Sequence, residues 1–189
     1  AVLAANSVGI SGKIIIYDIN RKMMQVGRAK RNPWVRATPI ECIQGNAESI
    51  SFPEDTFDAA MVGFGIRNVT HLKRGFAEMR RVLKPGGTAI MMVYNRHSWL
   101  NFLSRTLKVK MEHTDAPVLK KYTRKEFSAM LKKFHRVDLF TERFPVRSRL
   151  QKGFKAVFFN NLFVPVFNII PRFITGKTGW HIMAFAEKQ

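Results

Sequence analysis

An α/β fold with a mostly parallel, doubly wound sheet is predicted by three features of this sequence. Apolar runs lack alternation, as in strands covered on both faces; helix-period patterns separate them; and Gly, Pro and Asn mark the junctions. Residues 13–18 (KIIIYD) are β-branched and aromatic throughout and predict the first strand, with Gly9 and Gly12 supplying the turn ahead of it. Residues 21–30 read as a helix exposing Arg21, Lys22, Arg28 and Lys30. Asn32 and Pro33 then break the chain before a second strand at 40–43, which closes a βαβ unit. Residues 57–64 (FDAAMVGF) predict a third buried strand. Thr70 is placed to cap a helix in which Leu72, Phe76, Met79 and Leu83 recur at i, i+4, i+7 and i+11. Lys84-Pro85-Gly86-Gly87 stops that helix, and residues 88–94 (TAIMMVY) form a fourth strand. In open sheets of this kind ligands bind at the carboxyl ends of the strands.

The second half is less regular. Thr123 and Glu126 have the spacing of a capping box, and Phe127, Met130, Leu131 and Phe134 follow at i, i+3, i+4 and i+7, predicting a helix. Residues 137–144 and 180–186 read as further strands, with 98–110 and 153–170 as helical or irregular insertions. The second insertion holds Phe154, Phe158, Phe159, Phe163 and Phe167. Core packing accounts for such residues, and so does an apolar lid or membrane-surface contact.

Length and composition bound the function. A chain of 189 residues makes one domain, with residues 1–95 as a cofactor-binding half and 96–189 as a basic half toward substrate or partner. The net charge is +19, of which +6 lies in residues 1–95 (13 basic, 7 acidic) and +13 in 96–189 (19 basic, 6 acidic). Such an excess suits an anionic partner, either nucleic acid or an anionic membrane surface. The single cysteine, Cys42, rules out a disulfide framework. The five histidines show no paired ligand spacing, so no metal is expected. Residues 1–7 do not read as a signal peptide, and the most apolar tract, 156–174, is interrupted by Asn, Pro and Arg.

Candidate chemistry lies at strand ends. Asp18 closes the first strand, where a carboxylate can accept both hydroxyls of a ribose; it equally suits capping of the helix that begins near Arg21. Asn46-Ala47-Glu48 follows the second strand, where an amide can bond an adenine edge or simply make a polar turn. Phe64-Gly65-Ile66-Arg67-Asn68 leaves the third, its glycine permitting close backbone approach and Arg67 and Asn68 offering donors.

Taken together, Asp18-Ile19-Asn20, Gly45-Asn46-Ala47-Glu48, Phe52-Pro53, Thr56-Phe57-Asp58, Phe64-Gly65-Ile66-Arg67-Asn68-Val69-Thr70 and Arg81-Val82-Leu83-Lys84-Pro85-Gly86-Gly87 resemble, in order and spacing, the ubiquinone/menaquinone biosynthesis C-methyltransferase family over residues 9–95. That resemblance implies a Rossmann-like class I methyltransferase with S-adenosylmethionine as cofactor and a small aromatic or quinone-like substrate. It places Asp18, Ile19, Asn46, Ala47, Phe64 and Gly65 in the cofactor site, with Asp18 on the ribose, Asn46 and Ala47 along the adenine, and Phe64 and Gly65 flooring the pocket beside the methionyl part. Arg67 and Asn68 face the substrate as catalytic residues. His97 is a weaker candidate base, against the reading of an ordinary surface histidine.

The family's first strand and its Gly-rich loop are not seen in this sequence. In the usual strand order that strand is central, so a stable sheet needs the gap filled by a neighbouring chain or another segment. Beyond Tyr94 the family pattern fades. The competing class is a catalytically inactive, methyltransferase-like structural component of an RNA–protein assembly, such as a mitochondrial ribosome or its assembly machinery, supported by the basic charge. An NAD-dependent enzyme would share Asp18 but leaves residues 64–70 and 84–87 unexplained. The expected compartment is the mitochondrial matrix or the inner-membrane periphery, otherwise the cytoplasm.

Overall fold

A computed structural model describes residues 8–9, 11–29, 39–106, 120–147 and 153–189. The predicted βαβ unit is present: β1 (Ile14–Asp18), α1 (Arg21–Ala29) and β2 (Ile40–Gln44), with β1 and β2 parallel and Asp18 opposite Gln44 at their carboxyl ends. Asn20 Oδ1 accepts the Met23 N–H at 3.1 Å and so caps α1, while Met24 is the one side chain this helix buries. The predicted helix residue Lys30 and the breakers Asn32 and Pro33 lie outside the described residues.

A second sheet has the strand order β3 (Phe57–Val62), β4 (Leu83–Asn95), β7 (His181–Glu187), β6 (Arg136–Glu142), with the short β5 (Lys121–Tyr122) also on β4. β3 and β5 run parallel to β4, whereas β7 is antiparallel to both β4 and β6. Parallel pairings therefore join the strands of the first half of the chain, and antiparallel ones close the far edge. Among the described strands β1 pairs only with β2, and β3 only with β4, so the expected continuous sheet is divided between β1 and β3.

The core lies on one face of the larger sheet. β4 contributes Leu83, Ala89, Met91 and Val93 and β7 contributes Ile182, Ala184 and Ala186, every second residue, as the strand repeat requires. Onto this face pack α2 (Leu72–Val82) through Phe76 and Met79, and α4 (Arg124–Met130) through Phe127, with Leu131 and Phe134 just beyond it. Phe76 and Phe127 meet at a centroid distance of 5.8 Å. The capping box is formed: Glu126 N–H donates to Thr123 Oγ1 and Thr123 N–H to Glu126 Oε2. On the opposite face, Met61, Phe140 and Phe185 are exposed.

Local expectations are corrected as follows. β3 is not buried: Asp58, Ala59 and Met61 are exposed, and among the described strands β3 pairs only with β4. It also ends at Val62, with Phe64–Asn68 coiled into a 3-10 turn. Thr70 does not cap α2: the N-cap residue is His71, whose side chain makes no capping bond. Leu83 belongs to β4, and the strand enters through the Lys84–Gly87 turn. Gly86 there has φ +75°, and a Cβ on Gly87 would lie 2.8 Å from the Lys84 carbonyl oxygen and 3.1 Å from that of Asp58, so both glycines are required. Arg81, read above as part of a motif, is structural: its guanidinium donates to the carbonyls of Ile50 and Phe52 and pairs with Glu78, whose carboxylate accepts the Ile50 N–H.

Between β4 and β5 lies α3 (Trp99–Thr106). After β6 come α5 (Phe154–Phe158), a π-helical turn (Phe159–Phe163), α6 (Val164–Ile169) and α7 (Arg172–Thr175). Residues 107–110 of the first predicted insertion lie outside the described residues. No described helix is long and apolar enough to cross a membrane.

Candidate cofactor and substrate site

The carboxyl ends of β1 to β4 form one edge, and hydrogen bonds between their loops hold it together. Gly45 N–H donates to the Asp18 carbonyl at 3.0 Å, and Gln44 Nε2 donates to the Ile19 carbonyl at 3.2 Å, joining the end of β1 to that of β2. Asp18 Oδ1 accepts the Asn20 N–H at 2.7 Å, so the carboxylate orders the start of α1, but Asn20 supplies the cap itself. The helix-start alternative raised for Asp18 is thus met in part. The side chain is exposed, and its remaining lone pairs suit the two hydroxyls of a ribose. Ile19 is two-thirds exposed beside it, at 66%.

Asn46 forms a polar turn: its Oδ1 accepts the Glu48 N–H at 2.9 Å, leaving the amide nitrogen as the outward donor. Ala47 is half-buried. Glu48 then reaches the next element, accepting the Thr70 N–H at 2.7 Å and the His71 N–H at 3.0 Å, with His71 Nδ1 at 2.9 Å. These bonds occupy the N–H of His71, the N-cap residue of α2, and that of Thr70 ahead of it, and the backbone bond from His71 holds the Glu48 carboxyl below the usual carboxylate range. The loop after β2 is therefore fastened to the segment after the 3-10 turn. Within that turn Gly65 is exposed, and the space its Cβ would enter is open to at least 4 Å; Asn68 is exposed at its end. The backbones of Phe64 and Arg67 lie in the turn, and their side chains lie outside the described residues.

Beside the turn is a small pocket lined by Ile66, Val69, Leu72, Val93, Tyr94, Lys120 and Tyr122. Its walls come from the 3-10 turn, the start of α2, the end of β4 and β5, and they are mainly apolar. Burial pushes the Tyr122 hydroxyl up and the neighbouring Lys121 ammonium down from their ordinary values. Lys121 Nζ donates to Asn101 Oδ1 at 2.7 Å and stands 5.6 Å from the Trp180 ring centroid.

Sequence reasoning missed Tyr94, Tyr122 and Asn95. Asn95 is 1% exposed; its amide donates to the carbonyls of Lys177 and Gly179, and its Oδ1 accepts the His97 N–H. The signal that could have found it was a polar residue closing the apolar 88–94 run at a strand's carboxyl end. His97 itself is exposed.

A family profile described as the ubiE/COQ5 methyltransferase family matches residues 1–163. The chain belongs to that family. Among ubiE/COQ5 relatives, the ubiquinone/menaquinone biosynthesis C-methyltransferase UbiE of Hahella chejuensis is 42% identical over 89 residues, 47% of this chain and 36% of that protein. Its counterpart from Escherichia fergusonii is 42% identical over 90 residues with the same coverage. The aligned stretch thus spans about a third of these relatives. In fold the chain is similar to a SAM-dependent methyltransferase from Thermotoga maritima (TM-score 0.65, 17% identity, 100% of this chain and 87% of that one). It is also similar to one from Methanosarcina mazei (TM-score 0.62, 19% identity, 99% and 85%). The fold is accordingly a Rossmann-like class I methyltransferase, and membership of the ubiE/COQ5 family indicates S-adenosylmethionine as cofactor. The residues present fit that group: an exposed acceptor at Asp18 and an amide donor at Asn46 suit its nucleoside half, and the open space over Gly65 leaves room beside its methionyl part.

Proposed function

We propose that this protein is an S-adenosylmethionine-dependent C-methyltransferase acting on a quinone precursor or a similar small aromatic molecule. The observation that carries the reading is the fastened edge: Asp18, Asn46 and the turn containing Gly65 are joined through Gly45 and Glu48 at the carboxyl ends of three successive strands. When bound, S-adenosylmethionine supplies an electrophilic methyl group. The chain's residues have the tasks of binding, alignment and exclusion of water, since displacement at a sulfonium needs little acid or base machinery. Asp18 takes the ribose hydroxyls, with Ile19 alongside; Asn46 and Ala47 lie along the adenine; Phe64 and Gly65 form the floor.

A carbon acceptor on an aromatic ring needs a neighbouring hydroxyl deprotonated, and the Arg67 cation stabilises that phenolate while Asn68 orients it. In the expected strand order one more parallel strand stands between β1 and β3, supplied by a neighbouring chain or by another segment, and a Gly-rich turn at its end completes the methionyl cradle.

The test is calorimetric titration with S-adenosylmethionine, followed by transfer of labelled methyl to a demethylated quinol. Asp18→Ala should weaken cofactor binding about tenfold or more, as expected for loss of hydrogen bonds to a charged acceptor. Absence of cofactor binding by the full-length protein overturns the reading and favours the inactive, RNA-associated scaffold.

A further inference from the structure

The helical insertion after β6 is apolar on two sides. Its inner stripe, Phe159, Phe163 and Phe167, stacks ring on ring against Trp99, with centroid separations of 5.9 Å (Trp99–Phe159), 5.6 Å (Phe159–Phe163) and 5.8 Å (Phe163–Phe167). That contact anchors the helix to α3. An outer stripe, Phe154, Phe158, Leu162, Val166 and Ile169, recurs every three or four residues and continues to Phe173 in α7. Phe154, Ile169 and Phe173 are 83%, 81% and 84% exposed. A helix apolar all round is normally buried, and scattered single hydrophobes need no explanation, whereas a continuous stripe in helical register does.

Charge identifies what covers it. Between Glu142 and Glu187 there is no acidic residue, while Arg143, Arg147, Arg149, Lys152, Lys155, Arg172 and Lys177 are all basic. Arg147 and Lys177 are exposed, and the Arg172 guanidinium stands 4.1 Å from the centroid of the Phe144 ring. Aromatic and aliphatic side chains projecting from a segment of a single positive sign complement an anionic phospholipid surface, whose headgroups attract the cations while the acyl boundary takes the rings. The continuous helix of residues 154–169 is too short to span a bilayer, so it lies in the plane of the interface.

We infer that the outer face of residues 154–174, flanked by Arg147 and Lys177, docks the protein on an anionic phospholipid bilayer.

Co-sedimentation of the full-length protein with extruded vesicles tests the inference, comparing pure phosphatidylcholine with vesicles about one-third phosphatidylglycerol. The protein should pellet with the anionic vesicles, and far less with neutral ones or in high salt. The pair Phe154→Ser and Phe173→Ser should lower the partition coefficient about tenfold or more, and the pair Arg147→Gln and Lys177→Gln should reduce it and flatten its salt dependence. All four positions are exposed, so far-UV circular dichroism and the melting temperature should stay unchanged. Failure to pellet with anionic vesicles overturns the inference, as does pelleting that the phenylalanine pair leaves unaltered. Vesicle-independent self-association abolished by that pair also overturns it, assigning the stripe to a second copy of the chain.

Discussion

Glu48, in the loop after β2, accepts the backbone N–H of His71 across 23 residues and so joins the adenine side of the candidate site to the helix that follows the substrate side. One carboxylate thereby serves two functions: it accepts the N–H of the N-cap residue of α2, and it ties the loop after β2 to the segment that follows the turn holding Gly65.

Acid should weaken this fastening. The Glu48 carboxyl titrates below its ordinary 4.5, chiefly because of the bond from the His71 backbone. A depressed carboxyl contributes stability above its unfolded value and loses it as the pH falls through its folded value. Glu48→Gln should therefore melt earlier than the parent at neutral pH, and the two should converge in acid below that range. Melting temperatures across a pH series provide the check, and parallel curves would refute it. Because Glu48 also holds the loop carrying Asn46, cofactor affinity should fall in the same variant.

His181 should shape the acid limb from a different direction. It is 6% exposed, and burial pushes its pKa down to about 4 from 6.5. The folded protein keeps the ring neutral where the unfolded chain is protonated, so stability is complete above 6.5 and declines toward 4. The loss amounts to up to roughly 3 kcal/mol at the acid end. In denaturant titrations from pH 7 to pH 4, His181→Gln should show a shallower decline than the parent.

Asn95 closes β4 and bonds two carbonyls of the 177–179 loop. Asn95→Ala leaves those buried acceptors without their donors, and unfolding free energy should drop by about 2–4 kcal/mol. Asn95→Asp retains the acceptor for His97 but not the donors and should lose a comparable amount. Equilibrium urea unfolding measures both.

Phe127 is fully buried against Phe76. Phe127→Ala should cost about 3–5 kcal/mol through lost burial and the cavity left behind, while Phe127→Leu should cost much less. The surface substitution Phe102→Ala, at a position 64% exposed, is the control and should change stability by under about 0.5 kcal/mol.

Much of the architecture was legible because it is written in local periodicity. KIIIYD and TAIMMVY announce strands by unbroken β-branched and apolar composition, and Thr123 with Glu126 announces a helix start by a spacing of three. That Asp18, Asn46 and Gly65 follow successive strand ends was legible for a related reason: in a parallel sheet each strand end points to the same edge, so position along the sequence translates into position in space. The five phenylalanines of residues 153–170 were legible only as two alternatives, and the fold divides them, with Phe159, Phe163 and Phe167 turned inward and Phe154 outward.

Local sequence thus determined which segments become strands and helices, which residues end them, and the family to which the pattern belongs. Tertiary structure alone decided that Glu48 fastens the backbone just ahead of α2, that Asn95 ties β4 to a loop more than 80 residues away, and that β3 is half-exposed rather than buried. Helix and strand signals arise from neighbours within a few residues. Fastening from a distance, strand exposure and pocket walls depend on which elements meet, and that is set by how the whole chain buries its apolar faces.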